Sequence, residues 1–499
     1  MLRRVLRVTA GLTAGAMATA CTVYRKERVA VPAGNFQLIC AATASRSPPI
    51  VLKRLSTDNY MGAFDAYYLA ATWFYGKPLD AATIKATIAS AVEVMPALAG
   101  RRTKKGIVLS NEGVRLTVRE QHPGSALDWV GPEIHEENAA VRDFADSPSS
   151  CAGGKQPLFT VRITNFRDGT SALGIASPHS LMDGKGYMQV VSALSAAHTS
   201  MGRFDNVTVP DFDAAAVWED RTKGLDIDRE PALWFAPFRL LELTEPLWAL
   251  AMPRLDLMLP RAKVHLSLAE LTELKAAVSE VMAKGSGSQS KATSKAQLTV
   301  NEALSAAFFL ALAKEPNGPF TAGQPGTVRM VVNAQGKGLF ADVENVVGNF
   351  SWMQEMHTSK PPSAMTDMEA ALFFFDFGAK WRDSATATRC VEEFAIFFRV
   401  QDHKGCFWSQ TDNIDNILFI NNQSSMPTAK ICFGAGPPIG YQPWHSQHHL
   451  QIVAAADAPE ANWTQRHAAG VDVYLPKMYS PLLGTPEFKQ KLLHEWRSS

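Results

Sequence analysis

The chain has 499 residues, of which 46% are hydrophobic and 19% are charged, and its formal net charge is +1. This length and composition exclude a disordered protein and predict a globular chain of two or three domains. The near-zero net charge excludes a broad electrostatic attraction to nucleic acid or to a membrane surface. The six cysteines are widely spaced without a Cys-x-x-Cys pair, a pattern that disfavours a zinc module or a disulfide framework and is consistent with reduced thiols.

The N-terminus differs in character from the rest of the chain. Arg3, Arg4 and Arg7 precede an Ala/Gly/Thr-rich stretch, and the first acidic residue is Glu27. This pattern predicts a disordered leader over residues 1–45 that is suited to organelle targeting or secretion. Its apolar run is shorter than the ~20 residues that span a bilayer, and the sequence predicts no transmembrane segment elsewhere.

Two patterns in the first half of the sequence predict a helix and a β-hairpin. A helix opens after Lys77–Asp80, repeats apolar residues at Ile84, Ile88 and Val92, and ends before Pro96. Further along, two apolar runs at residues 158–166 and 172–176 are joined through Asp168-Gly169, which predicts a β-hairpin. Helical spacing follows at residues 187–194.

The second half mixes helices and strands. A Thr-x-x-Glu capping box at Thr299 starts a helix, and Thr485-Pro486 starts the last one. Strands are predicted at 328–332, 417–420 and 470–475. Without regular βαβ alternation, we predict an α+β (layered α/β) fold. The predicted organisation is a leader (1–45), an N-terminal domain (46–205), a crossover linker (206–260) and a C-terminal domain (261–499).

The segment Ser177–Gly184 (SPHSLMDG) carries the strongest chemical signal. His179 lies at the exit of the second predicted hairpin strand, and histidine is the side chain best suited to act as a base near neutral pH. The alternative is an ordinary loop histidine, with Asp183 capping the following helix. A metal site that adds His445, His448 or His449 lacks typical zinc spacing. The chain contains no Gly-x-Ser-x-Gly, Walker or dinucleotide-binding motif.

His179, Asp183 and Gly184 form a His-x-x-x-Asp-Gly motif, and other segments accompany it at suitable positions. These segments are PLFTVRITNFRDGTSALGIA at 157–176, PALAGR at 96–101, TVNEAL at 299–304 and GNF at 348–350. Together they resemble the BAHD acyl-CoA-dependent acyltransferases of plant and fungal secondary metabolism, over about residues 50–490.

Three segments depart from the family pattern. The Asp-Phe-Gly-Trp-Gly signature, which has a structural role in the family, reads Cys432-Phe433-Gly434-Ala435-Gly436 here. A Ser/Thr-Ser-Trp segment is replaced by Asn421-Asn422-Gln423. The Asp-x-Arg stretch, whose arginine holds the motif aspartate in the family, lies within residues 333–337 here, so Lys337 or Gln335 is expected to serve instead.

The resemblance implies two chloramphenicol-acetyltransferase-like domains with the active site in a channel between them. His179 is then the general base, Asp183 and Gly184 support it structurally, and Asn421 is a candidate oxyanion donor. Lys291 and Lys295 are candidates for contacting coenzyme A phosphates, unless they are only solvated. Phe433, Gly434, Gly436 and Lys337 have structural roles.

The same resemblance implies the substrates and the setting. An acyl-CoA is the co-substrate and a small alcohol or amine is the acceptor, with no tightly bound cofactor and no metal. The acyl group is not an amino-acyl group, and no covalent enzyme intermediate is required. We expect a monomer that does not bind nucleic acid, in the cytoplasm unless the leader directs it elsewhere.

Two other functions remain open at this stage. A condensation-type acyltransferase would take its acyl group from a carrier protein, but such enzymes usually carry His-His-x-x-x-Asp-Gly, and Pro178 replaces the first histidine here. A catalytically silent homologue would only bind small molecules. The retained His179 and Asp183 argue against a silent protein, whereas the altered 432–436 and 333–337 segments argue for it.

Overall fold

Two six-stranded β-sheets, each covered by helices, form the framework of the protein. The structure is a computed structural model, and it describes residues 36–42, 50–53, 68–103, 106–130, 139–145, 156–226, 261–285, 298–404, 416–443, 449–455 and 470–496.

The strands of the described residues are mostly short and alternate irregularly with helices. They are β1 (Phe36–Ile39), β2 (Val51–Leu52), β3 (Tyr68–Tyr75), β4 (Arg101–Thr103), β5 (Gly106–Val108), β6 (Val114–His122), β7 (Thr160–Phe166), β8 (Ser171–Pro178), β9 (Arg261–Leu266), β10 (Thr327–Asn333), β11 (Ser351–His357), β12 (Ile417–Asn422), β13 (Gly440–Pro443), β14 (His449–Ala454) and β15 (Val471–Pro476).

The α-helices are distributed over both halves of the chain. They are α1 (Ala81–Val94), α2 (Ala139–Phe144), α3 (Gly184–Thr199), α4 (Ala214–Thr222), α5 (Leu268–Gly285), α6 (Val300–Ala313), α7 (Asp367–Arg382), α8 (Ser384–Lys404) and α9 (Pro486–Glu495).

Both large sheets are mixed. The first has the strand order β1-β6-β7-β8-β3-β13, and the second has the order β11-β10-β12-β14-β15-β9. Only β6–β7 in the first sheet, and β10–β12 and β12–β14 in the second, are parallel pairs. A small third sheet, β2-β5-β4, is not hydrogen-bonded to either of them. This architecture confirms the predicted α+β layered class.

Each large sheet has its own hydrophobic core. The first core joins β3, β7 and β8 to α1 and α3, and Trp73 and Ile163 are fully buried in it. The second joins β10, β12 and β15 to α5, α6 and α7, with Phe308 and Phe309 fully buried. Strand β13 belongs to the second half of the sequence but pairs with β3 of the first sheet. The domain boundaries at 205 and 260 remain predictions.

Most of the elements predicted from periodicity and capping are confirmed. The hairpin forms from β7 and β8, with Gly169 at φ 86° in its turn. Asp80 caps α1, whose last residue precedes Pro96 by two positions, and the Thr299–Glu302 capping box starts α6. The strands predicted in the second half correspond to β10, β12 and β15.

Two predictions about irregular segments need correction. The leader was expected to be disordered over residues 1–45, but Phe36–Ile39 forms β1, which pairs antiparallel with β6. Backbone pairing at this sheet edge orders the segment although three of the four side chains of β1 are exposed. The crossover segment contains α4, which Asp213 caps. Residues 1–35, 43–45 and 227–260 lie outside the described residues.

Candidate active site

His179 directly follows β8, at the place where the first sheet meets the second. All eight residues of β8 are buried, so the strand fixes the position at which the chain leaves the core. A turn closes when the Leu181 N–H donates to the Pro178 carbonyl, and the Asp183 N–H donates to the Gly348 carbonyl. Gly348 belongs to the segment that leads into β11, so the motif is tied to both sheets.

The Asn349 side chain holds His179 by two hydrogen bonds. Its Nδ2 donates to the His179 carbonyl at 2.8 Å, which leaves its Oδ1 3.0 Å from His179 Nδ1. An amide oxygen can only accept, so the His179 Nδ1 carries the proton. The other ring nitrogen, Nε2, therefore has a free lone pair, which is the form that a general base requires.

Burial sets the protonation state of His179. It lowers the pKa of the imidazole below its usual range, since a charged ring is poorly solvated there. The backbone carbonyl, the Asp183 carboxylate and the Asn349 amide act in the opposite direction, but burial has the largest effect. His179 is therefore neutral at neutral pH.

Asp183 connects the motif to the second sheet. The residue is 1% exposed, and its Oδ1 accepts from the Gly186 N–H at 3.0 Å as the N-cap of α3. Its Oδ2 accepts from Asn333 Nδ2 at 2.7 Å, from Ser351 Oγ at 2.9 Å and from the Phe350 N–H at 3.0 Å. This carboxylate thus has four donors, three of which come from the ends of β10 and β11.

The expected contact of Lys337 or Gln335 with Asp183 is wrong. Asn333 makes that contact from the last position of β10, the strand end that approaches the motif. Lys337 Nζ instead donates to the Asn333 carbonyl at 2.9 Å, and Gln335 Nε2 donates to the Val346 carbonyl at 2.5 Å. The longer side chains lie beyond the strand end and bond to backbone there.

A cavity of about 1630 Å³ extends along His179 and is lined from both halves of the chain. The first half contributes the motif and residues of α3 from its start to Ala196. The second half contributes the starts of α6 and β11, the end of α7, and the end of β12 with the segment that follows it. Representative lining residues are His179, Gly184, Lys185, Asn301, Asn333, Lys337, Trp381, Arg382, Asn421 and Gln423. Two substrates can therefore reach one base from different parts of the protein.

Asn421 and Gln423 both line this cavity. Among the described residues the Asn421 amide has no hydrogen-bond partner. The Gln423 Oε1 accepts from Gln451 Nε2 at 3.1 Å, so its own Nε2 is left to donate elsewhere. A Cβ added to Gly184 would stand 3.7 Å from this Nε2 atom and 3.0 Å from Met426 Cε. Gly184 keeps this approach open.

None of the residues 432–436 of the altered signature lines the cavity. Phe433 is buried against His198, and the Cys432 N–H donates to Ser195 Oγ at 2.9 Å. Ser195 and His198 are in the last turns of α3, roughly 16–21 Å along the helix axis from Gly184. Gly434 and Gly436 have φ values of 78° and 84°, which glycine adopts without strain. These residues shape the packing of α3.

Several predicted residues cannot be placed. Lys291 and Lys295, together with His445 and His448, lie outside the described residues, and so do three of the six cysteines. His449 is the first residue of β14. Within the described ranges no group of His, Cys, Asp or Glu side chains is arranged to hold a metal ion. The helices in those ranges are also too short or too polar to span a bilayer.

Sequence reasoning missed the side chains that support the motif. Asn349 lies in the Gly-Asn-Phe segment, which was noted only as part of the family resemblance. That segment was the one sequence signal from which the role of Asn349 could have been predicted. Asn333 and Ser351 gave no signal, because their role depends on β10 and β11 ending beside each other in register.

Comparisons with known proteins agree with this geometry. Residues 135–245 match the family model described as "Transferase family", a range that includes the whole His179–Gly184 motif. A hydroxycinnamoyltransferase from Narcissus pseudonarcissus is 26% identical over 181 residues. That alignment covers 33% of this chain and 39% of the relative.

Solved structures extend the likeness to nearly the whole chain. Vinorine synthase is 14% identical, covers 92% of this chain and 97% of its own, and has a TM-score of 0.62. F. sporotrichioides TRI101, solved with coenzyme A and T-2, is 13% identical, with coverage of 88% and 99% and a TM-score of 0.58. At these identities the structures show a shared fold.

Proposed function

We propose that this chain, a member of the BAHD-type acyltransferase family, moves an acyl group from an acyl-CoA thioester to a small alcohol or amine. The relatives' names support this substrate pair, since one is a hydroxycinnamoyltransferase and another was solved with coenzyme A. Acyl-CoA is a co-substrate in this proposal. The identity of the acceptor is left to experiment.

The observation that carries the proposal is the state of His179. The ring is neutral, its proton is fixed on Nδ1 by Asn349, and it lines a cavity that both halves of the chain enclose. A base with its lone pair on Nε2 can take a proton from an acceptor hydroxyl or amine. A histidine with only a structural role would not require a cavity beside it.

The reaction then follows in two balanced steps. The acceptor oxygen or nitrogen attacks the thioester carbon while its proton moves to His179 Nε2, giving a tetrahedral oxyanion and an imidazolium. The intermediate collapses by breaking the carbon–sulfur bond, and the imidazolium returns the proton to the departing thiolate. General-base assistance contributes roughly 10²–10⁴-fold, and holding both substrates in one cavity supplies much of the remainder.

We further propose that a side-chain amide at the C-terminal end of β12 donates to the oxyanion. Asn421 is the first candidate because its amide is unpaired among the described residues and lines the cavity. Gln423 is the second, since Gln451 orients its amide and its Nε2 lies near Gly184. Loss of a single such donor typically lowers kcat by about 10²–10³-fold.

Asp183 and Gly184 have supporting roles in this proposal. Asp183 has all four of its hydrogen bonds within the protein, which suits a residue that positions the backbone around His179. Gly184 leaves room for Gln423 and Met426. Lys291 and Lys295 remain proposed contacts for coenzyme A phosphates.

The test measures free thiol released from acyl-CoA by a thiol-reactive chromophore. Short aliphatic and hydroxycinnamoyl thioesters are combined with mixed alcohol and amine acceptors. We expect acceptor-dependent release that falls by at least about 10²-fold in His179→Ala. His357→Ala is the matched control, because His357 is an exposed histidine on β11 outside the cavity. Asn421→Ala and Gln423→Ala in the same assay identify the oxyanion donor.

Three results would contradict the proposal. Thiol release that is unchanged in His179→Ala would exclude this residue as the base. If no acceptor supports release but a carrier-bound thioester does, the chain is a condensation-type enzyme. If neither donor is used while ligands still bind, it is a silent binding protein.

A further inference from the structure

Two lysines from different parts of the fold line the cavity close to the motif. Lys185 is the second residue of α3, immediately after Gly184, and Lys337 lies four residues beyond the end of β10. Both are partly buried. Since Lys337 does not hold Asp183, the structure leaves its charge without an assigned purpose.

Neither ammonium is neutralised by the described residues. Lys337 Nζ donates to the Asn333 carbonyl, and neither lysine forms a salt bridge with a described carboxylate. Asp183 is within electrostatic reach of Lys185, but four other donors already occupy its oxygens. Glu344 also attracts Lys185, but it is exposed, so water screens its charge.

The two lysines also act on each other. Burial lowers the pKa of both side chains, and the positive charge of Lys185 lowers the pKa of Lys337 further. Keeping two like charges together in a partly buried position costs free energy unless an anion joins them. Binding of such an anion would remove this repulsion.

We infer that Lys185 and Lys337 form an anion-binding subsite beside the reacting centre, which holds a carboxylate carried by a substrate. The inference rests on the proposed function in that the anion is part of a substrate. The carboxylate can belong to the acceptor or to the acyl group, since both meet at His179.

The phosphates of coenzyme A do not fit this position. Lys185 follows Asp183 by two residues. Lys337 Nζ donates to the carbonyl of Asn333, whose side chain donates to Asp183, so both lysines stand near the motif that carries the base. When a thioester lies at His179, the extended pantetheine arm keeps the phosphates far from the reacting carbon. A small carboxylate attached close to the reacting atom is the anion that can reach both ammonium groups.

Binding is tested first, without catalysis. The probes are benzoate and benzamide, which have nearly the same shape and differ in charge. Reductive methylation of lysines, followed by mass spectrometry, reports the reactivity of each site. We expect benzoate to protect Lys185 and Lys337 while benzamide does not, and Lys85, an exposed lysine on α1, to react equally in both. Equal reactivity of the two sites with either probe overturns the subsite.

Variants test the pair directly. Lys337→Met and Lys185→Met keep the length of the side chain and remove its charge. Each is expected to weaken benzoate binding by about 10–100-fold, the value of one charge-assisted hydrogen bond. Lys85→Met is the matched control and should bind as the wild type does. Undiminished benzoate binding in both cavity variants, with the fold intact by circular dichroism, overturns the inference.

Kinetic measurements then identify which substrate carries the anion. One arm compares hydroxybenzoates with their methyl esters as acceptors for a neutral acyl-CoA. The other compares malonyl-CoA with butyryl-CoA for a neutral alcohol. A preference for the acid in kcat/KM, lost in Lys337→Met, assigns the subsite to that substrate. Acyl transfer without a preference for the acid in either arm overturns the subsite but leaves the proposed function standing. Benzoate protection of the two lysines without any acyl transfer supports the subsite but contradicts the proposed function.

Discussion

Asn349 determines whether His179 can act as a base, because a single side chain fixes both the backbone and the tautomer of the histidine. It is fully buried, donates to the His179 carbonyl and accepts from Nδ1. Replacing it by alanine leaves the ring free to carry its proton on Nε2. The base would then be lost for part of the time.

We therefore predict that Asn349→Ala lowers kcat by roughly 10–100-fold, a part of the 10²–10⁴-fold that a general base provides. The variant Asn349→Asp distinguishes the effect of residue 349 on the tautomer of His179 from its effect on the pKa of His179. A carboxylate beside Nδ1 keeps the proton there and raises the pKa of His179. In the wild type burial lowers the pKa of His179, so the acid limb of its activity lies below the ordinary range of a histidine.

The measurement is the pH profile of kcat/KM. The acid limb should move to higher pH in Asn349→Asp, because the base must lose a proton that is now held more tightly. If Asn349 only supports the fold, both variants would lose stability and the position of the acid limb would not change.

At this scale the sequence predicts the reacting residue better than its surroundings. His179 and Asp183 are recognisable from the motif and its place after a buried strand. The partner of Asp183 could not be predicted from the sequence. The positive charge of Lys337 favoured that residue, but the neutral side chain of Asn333 is the one that lies close enough to make the contact. Which of them reaches the carboxylate depends on where β10 ends relative to β11.

At the scale of elements, several helices and strands that form through interactions between residues close in sequence were predicted correctly. The hairpin of β7 and β8, the capped helices α1 and α6 and the Pro-initiated α9 all have their signals within a few residues. The edge strands β1 and β13 were not predicted, since each depends on a partner strand distant in sequence. The edge strand β11, which pairs with the preceding strand β10, was not predicted either. Helices α7 and α8 also went unrecognised, although Thr366 and Glu369 form a capping box.

The contact between α6 and α7 depends on a glycine. Gly378 lies in α7, and a Cβ there would stand 1.6 Å from Oε1 of Glu302. Glu302 cannot easily move aside, because it is 5% exposed, pairs with Arg382 and completes the capping box at Thr299. Gly378→Ala should therefore lower the free energy of unfolding by about 1–3 kcal/mol.

Urea denaturation measures this effect, and Gly224→Ala provides the control. Gly224 follows α4, does not have a positive φ, and has no atom within 4 Å of an added Cβ. The control should be neutral or stabilise the protein by up to about 1 kcal/mol, since alanine restricts the unfolded chain. A similar change in both variants would mean that α6 and α7 can separate at little cost.

At the scale of the whole molecule, the two sheets are joined at the place where the chemistry is proposed. Strand β13 carries the second half of the chain back to the first sheet. Asp183 forms another link, since its donors come from α3 in the first half and from β10 and β11 in the second. The sequence indicated two layered domains, but their joining depends on contacts between residues 150 or more positions apart.

This double role of Asp183 predicts a stability effect that a simple helix cap would not produce. Asp80 is the matched comparison, because it is also an aspartate N-cap, on α1, and its backbone bonds are local. Asp80→Ala should cost about 1 kcal/mol of the free energy of unfolding. Asp183→Ala removes a cap and three further hydrogen bonds, so we expect about 3–4 kcal/mol. Urea unfolding of both variants measures the difference, and equal costs would mean that the sheets are held together without this carboxylate.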